Sequence, residues 1–145
     1  MRIDELIDIK NIDTSIEPMT KDQAIARMIN KLKLNGYVQD ADTFSKAIYQ
    51  RENEISTAVG YGVAIPHART SAVKKSTISV FRDLSGIPWG QEKVNLVFMI
   101  AAEEDASDEH LKMLSKISTF LMDESFRAKL ITAADPNEMY EILVQ

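Results

Sequence analysis

The sequence predicts an α/β sandwich around a mostly buried sheet, and three observations carry that expectation. Helical periodicity occupies both ends of the chain, β-rich apolar runs gather in its middle, and one of those runs, Val94 to Ala101, is almost wholly apolar, as a strand covered on both faces should be. At 145 residues the chain fits one domain, 1–145, large enough to bury a core without disulfides or a structural metal. No internal repeat and no Gly/Ser-rich or Pro-rich linker divides it.

The first helix begins at Thr20-Lys21-Asp22-Gln23, which has the Thr-x-x-Gln form of a capping box. Ala24, Ile25, Met28, Ile29 and Leu32 follow at helical spacing, and Gly36 stands where a helix stops. A second helix is expected from about Asp42 to Gln50, burying Phe44, Ala47 and Ile48 and bringing Arg51-Glu52 to its C-terminal end. Residues 55–65 read as two short extended pieces around glycines. Thr77 to Phe81 alternates like a half-buried strand, and Gly86-Ile87-Pro88-Trp89-Gly90 reads as a loop before the apolar strand. After the acidic stretch 103–108 a helix is expected near Glu109, capped by Asp105 or Ser107, with Leu111, Leu114, Ile117 and Leu121 on its apolar face. A shorter helix over 126–131 follows, and Asp135-Pro136 opens the last one as cap and first-turn proline.

Composition excludes several functions. There are no cysteines, so a disulfide framework, a thiolate zinc site and a cysteine nucleophile are all ruled out, which fits a reducing compartment. The opening MRIDELIDIK carries acids and no apolar core of a signal peptide, and no stretch approaches the ~20 apolar residues that span a bilayer, so a cytoplasmic protein with no direct membrane insertion is expected. A formal charge of −5 argues against nucleic acid as the main partner, because phosphate backbones demand a basic face.

Chemistry concentrates around one of the two histidines. In Gly60-Tyr61-Gly62-Val63-Ala64-Ile65-Pro66-His67-Ala68, Pro66 fixes its own φ, pushes Ile65 extended and donates no ladder hydrogen bond. A strand is therefore expected to end there with His67 at its exit. Gly60 and Gly62 permit tight turns and a close approach of main-chain N–H groups to an anion. A histidine in such a turn also serves, elsewhere, as a purely structural hydrogen-bonding residue. His110 lies four and seven residues before Leu114 and Ile117, so it shares their inward side near a helix start, where N–H groups and the helix dipole favour an anion. The alternative for it is a core-edge histidine bonded to a backbone carbonyl. Arg51 at a helix C-terminus either complements the helix dipole or, facing His67, clamps a phosphate.

Taken together, Arg51-Glu52, Ser56-Thr57, Gly60 and Gly62 to Ala68 resemble the active-site signature of the type-2 enzyme IIA domains, fructose and mannitol class, of the bacterial phosphoenolpyruvate-dependent sugar phosphotransferase system. Pro88-Trp89-Gly90, Val94 to Ala102, Asp108-Glu109-His110-Leu111 with Leu114, and Asp123-Glu124-Ser125 are similar to later parts of the same domain, so the likeness runs from about residue 20 to the C-terminus. The resemblance implies a central mixed β-sheet flanked by helices on both faces. It also implies that His67 is the phosphorylated histidine, with Arg51 and His110 as its flanking residues. Tyr61 and Arg69 depart from the usual pattern and bear on sugar or partner preference.

The implied mechanism is a relay. His67 would accept a phosphoryl group from the phosphohistidine of the small carrier HPr, using Nε2 while Nδ1 is bonded to a carbonyl, and would pass it to a cysteine of an enzyme IIB domain associated with a membrane sugar permease. Histidine suits such a relay, since an imidazole of ordinary pKa about 6.5 offers a neutral nucleophilic nitrogen at cellular pH. Phosphoryl transfer has a loose transition state, so positioning and charge neutralisation dominate, and no magnesium or other cofactor is called for when no nucleotide is cleaved.

Three readings compete with this one. A nitrogen-regulatory enzyme IIA-like protein would use the same histidine to control binding to other proteins; Trp89-Gly90 and 107–111 look closer to the fructose type. A metal module would use His67, His110 and Glu103, although the histidines lack short ligand spacing. A noncatalytic interaction domain is the third. Ile87, Trp89 and Met113 are candidates for either core or an exposed docking surface.

Overall fold

The structure is a computed structural model that describes residues 3–145. Two short 3-10 turns, Ile3–Glu5 and Ile9–Asn11, lead into β1 (Ile12–Ser15) and the helices α1 (Lys21–Leu34) and α2 (Ala41–Glu54). Three short strands follow, β2 (Ala58–Gly60), β3 (Val63–Ala64) and β4 (His67–Thr70), then the long pair β5 (Thr77–Trp89) and β6 (Glu92–Glu103). Helices α3 (Asp108–Leu121), α4 (Glu124–Thr132) and α5 (Pro136–Leu143) complete the order.

The six strands form one sheet in the order β1-β5-β6-β3-β2, with β4 paired to β6 further along from β3. β5 and β6 are antiparallel, β1 runs parallel to β5, and β3 and β4 run parallel to β6, so the sheet is mixed as expected. Alternation along β6 divides the core. Val97, Met99 and Ala101 pack with Ile25, Met28, Phe44 and Ile48 of α1 and α2, while Leu96, Phe98 and Ala102 pack with Leu114, Ile117, Leu130 and Met139 of α3, α4 and α5. The sandwich therefore carries helices on both faces.

Local chemistry sets most helix starts where the sequence places them. The Thr20 hydroxyl accepts the Gln23 N–H at 3.1 Å and the Gln23 side chain accepts the Thr20 N–H at 2.9 Å, closing the capping box. All five apolar residues assigned to the inner face of α1 are buried, and Gly36 follows its end at φ +83°. Ser107 caps α3 by accepting the His110 N–H at 3.1 Å, and Asp135 caps α5 with Pro136 at the first position.

Three expectations need correction. Residues 86–89 are strand, not loop: Ile87, Pro88 and Trp89 pair with Val94, Lys93 and Glu92, and the chain reverses only after Trp89. Pairing on β5 to β1 stops at Asp83, so from there the strand has a partner on one side only and tolerates a proline. Ile87 and Trp89 are fully buried, which removes both as docking residues, and Met113 is partly buried. The strand before Pro66 does pause, but His67 is not at its exit. It opens β4, which resumes the parallel ladder through His67↔Ile100, and the Ile100 N–H donates to the Pro66 carbonyl at 3.0 Å. Finally, α2 runs one turn beyond Gln50, to Glu54, placing Arg51 inside its last turn.

Candidate functional site

The site is assembled where α2 ends beside β4. Register decides which way the β4 side chains face. Ala68 is partnered by Ala101 and joins the α1/α2 core, whereas His67 and Arg69 are partnered by Ile100 and Ala102, whose side of the sheet carries α3, α4 and α5. Upstream, Gly60 (φ +92°), Tyr61 (φ +59°) and Gly62 (φ +75°) make three consecutive left-handed residues, a turn that the two glycines adopt without strain. It folds β2 back on β3, and the Ile65 N–H is held by the Thr57 carbonyl at 3.0 Å.

That arrangement presents the Ile65 carbonyl to the ring of His67, 2.9 Å from Nδ1. A carbonyl can only accept, so Nδ1 carries the proton and the neutral imidazole keeps its lone pair on Nε2. The ring is half-buried. It opens on a cleft of about 240 Å³ formed by Ala47, Gln50, Arg51 and Glu54 of α2 and by His67, Ala68 and Arg69 of β4.

Arg51 lines this cleft and also closes its helix, since Nη1 donates to the Ile55 carbonyl at 2.7 Å. The helix-closing role considered for it from sequence is thus present, and the same side chain lines the cleft that His67 opens on. Arg69 donates from Nε to the Glu104 carbonyl at 3.0 Å, which ties β4 to the end of β6.

The neighbour of Arg51 holds the frame. Glu52 has a side chain only 1% exposed; it accepts hydrogen bonds from the Thr57 hydroxyl, from the Thr57 N–H at 3.2 Å and from the Lys21 ammonium at 2.9 Å. Burial pushes its carboxyl upward, but those donors outweigh burial and hold it below the usual glutamate range. Lys21 also lies over the Trp89 ring, 4.9 Å from its centre. One partly buried ion pair therefore fastens the end of α2 to the start of α1, to the strand segment behind His67 and to the hairpin.

His110 does not line this cleft. It occupies the first turn of α3 and lines a separate hollow of about 390 Å³ with Ser107, Glu109, Lys112, Met113 and Lys116. Its Nε2 is enclosed and makes no hydrogen bond with the described residues. The structure thus brings His67 and Arg51 into one cleft and leaves His110 on the helix layer of the same sheet face. The glycine turn does not line the cleft; Gly62 instead accepts the Asn95 and Leu96 N–H groups at 2.8 and 3.1 Å. Among the described residues no group of three or more His, Asp or Glu side chains is placed to hold a metal, and Glu103 is engaged with Ser76.

Sequence reasoning passed over Gln50 and Glu54 as cleft residues. A signal existed, because positions 47, 50/51 and 54 recur at the spacing of one helix face, and 67 and 69 share one side of a strand. No helix among the described residues is long and apolar enough to cross a membrane.

Comparison with known proteins identifies the family and the fold. The profile of the family "Phosphoenolpyruvate-dependent sugar phosphotransferase system, EIIA 2" matches residues 5–145. The fructose-specific EIIABC component of Bacillus subtilis is 36% identical over the whole chain, which spans only 23% of that protein's length. The fructose-specific EIIA component of Haloferax volcanii is 35% identical across 88% of this chain and 85% of its own. Among solved structures, the nitrogen regulatory protein IIA-Ntr of Neisseria meningitidis superposes with a TM-score of 0.87 at 28% identity, covering 97% of this chain and 98% of that one. Mannitol IIA of Escherichia coli superposes at 0.78 and 27% identity, covering 94% and 98%. With the profile spanning nearly the full length and the histidine cleft in place, the chain belongs to the type-2 enzyme IIA family of the sugar phosphotransferase system, whose members are phosphoryl-carrier domains.

Proposed function

We propose that His67 carries the phosphoryl group on Nε2, received from phospho-HPr and delivered to an enzyme IIB cysteine. The observation that carries this reading is the Nδ1 bond to the Ile65 carbonyl, which leaves the Nε2 lone pair as the ring's nucleophile in a cleft with two arginines. In the first step the lone pair forms the N–P bond as the donor's N–P bond breaks, its electron pair returning to the donor imidazole. In the second, a thiolate forms the S–P bond and the pair of the Nε2–P bond returns to the ring, restoring neutral His67. Arg51 meets the charge on the equatorial oxygens, and His110, in the first turn of α3 on the sheet side that the His67 register also faces, serves as a second donor.

Relatives support the enzyme IIB partner and the sugar class. The complex of enzyme IIAMTL with phosphorylated enzyme IIBMTL from Escherichia coli superposes at a TM-score of 0.78 and 26% identity, and the two fructose-specific relatives favour fructose-type uptake. The site of action is the cytoplasmic side of a membrane permease. A regulatory role through the same histidine is the second reading, favoured by the higher TM-score to the nitrogen regulatory protein.

The test is label transfer from phosphoenolpyruvate through enzyme I and HPr. Wild type should gain acid-labile phosphate, His67→Gln should gain none while keeping its melting temperature, and Arg51→Ala should label more slowly. Label retained by His67→Gln would remove His67 as the acceptor. Prompt discharge on adding a fructose-type enzyme IIB supports uptake, and label that stays in place supports the regulatory reading.

A further inference from the structure

The carrier reading accounts for Arg51 and leaves a second cation in the same cleft without a role toward phosphate. Arg69 stands two residues after His67 on β4, so the two side chains leave the same side of the strand about 6.6 Å apart at their bases. Both line the cleft, together with Arg51 from the end of α2. Arg69's one hydrogen bond among the described residues is made by Nε, to the Glu104 carbonyl, which anchors the root of the guanidinium and leaves the N–H groups of its two terminal nitrogens for another acceptor. An arginine fork held this way suits the oxygens of a phosphoryl group, whereas the single acid in the cleft, Glu54, is itself exposed and makes no hydrogen bond there.

We infer that Arg69 is a phosphoryl-binding residue, contacting the group on Nε2 of His67 from the β4 side while Arg51 contacts it from the α2 side. The inference rests on the carrier reading. A purely structural role, tying β4 to Glu104, is the competing explanation, as is an ion pair with an acidic docking partner. Neither of those touches the phosphoryl group itself, and this separates them experimentally.

Phosphoramidate labels histidine without HPr, its P–N bond breaking as the Nε2–P bond forms and ammonia departing, so it takes partner docking out of the reaction. Intact wild-type protein, Arg69→Gln and Arg69→Lys are labelled with phosphoramidate, with His67→Gln identifying the signal, and the phosphoryl group is titrated by ³¹P NMR. Arg69→Gln should label roughly tenfold more slowly, the scale of one lost charge-assisted hydrogen bond. Its phosphoryl titration, normally near pH 6, should move upward by about half a unit, because a neighbouring cation favours the dianion. Arg69→Lys should restore most of the titration shift, since the charge is kept. An unchanged titration and labelling rate in Arg69→Gln would overturn the proposal, whether the variant is merely less stable or merely slower with HPr. Wild type that gains no phosphohistidine at His67 would overturn the carrier assignment first and this inference with it, a result distinct from normal labelling in the variant.

Discussion

Glu52 keeps its charge in a place where an isolated carboxylate would be costly, and the geometry around the cleft depends on that charge. Its folded-state carboxyl lies below its unfolded value, so the stability it contributes is fully present above pH ~4.3 and is lost as pH falls through the folded value. Glu52→Gln replaces an acceptor of the Lys21 ammonium by a neutral group and should cost about 1–3 kcal/mol at neutral pH. Urea denaturation of both proteins from neutral to acid should show that gap closing below pH about 4. A gap constant with pH would mean that the charge of Glu52 contributes nothing. The residue belongs to a stretch that stands out in the sequence, yet its partners do not, because Thr57 lies past a helix end and Lys21 on a different helix. His67 shows the same divide. Its candidacy as the reactive group rests on the family signature that Pro66 and the glycines belong to, while the tautomer depends on where a carbonyl two residues back happens to point.

Helices with a cap residue and a full turn of apolar spacing were the legible elements, since their signals are local. The strands divide differently. β6 announces itself by an unbroken apolar run, but β1 and β4 are four residues each, mostly polar, and exist because β5 and β6 offer them edges. The stretch from Gly86 to Gly90 misleads because its composition is that of a turn. Gly86 in fact marks the irregular register between Arg82 and Ile87 on β5, at φ +84°, where a Cβ would stand 2.8 Å from the Lys93 side chain. Lysine can swing aside, but the left-handed backbone cannot be relieved, so Gly86→Ala should destabilise by about 1–2 kcal/mol. A lower melting temperature with an unchanged phosphorylation rate is the expected pair of measurements. Equal melting temperatures would show that the backbone there relaxes freely.

Across the whole molecule, one sheet serves two hydrophobic layers, the α1/α2 layer and the α3/α4/α5 layer. The order of helices and strands in the sequence sufficed to infer such a sandwich. The parallel pairings did not emerge from it, since they join segments far apart in the chain and leave no local mark. Sharing a sheet should couple the layers. Phe98 is fully buried in the α3/α4/α5 layer, and the chain's one tryptophan, Trp89, is fully buried in the other. Phe98→Ala should cost about 3–5 kcal/mol and move the tryptophan fluorescence and far-UV circular dichroism transitions together. A fluorescence transition left in place would show that the layers unfold separately.

The β5–β6 hairpin orders events in time as well as in space. Its two strands are neighbours in the chain and can pair as soon as both exist, whereas β1 must return from residue 12 to meet residue 80, and β4 gains its register only from residues 100–103. During synthesis, which proceeds from the N-terminus, Arg51 and His67 leave the ribosome before the strand that holds His67 in place has been made. The imidazole of His67 is therefore exposed on an unformed chain first, and becomes a defined tautomer in a defined cleft only when β6 arrives behind it.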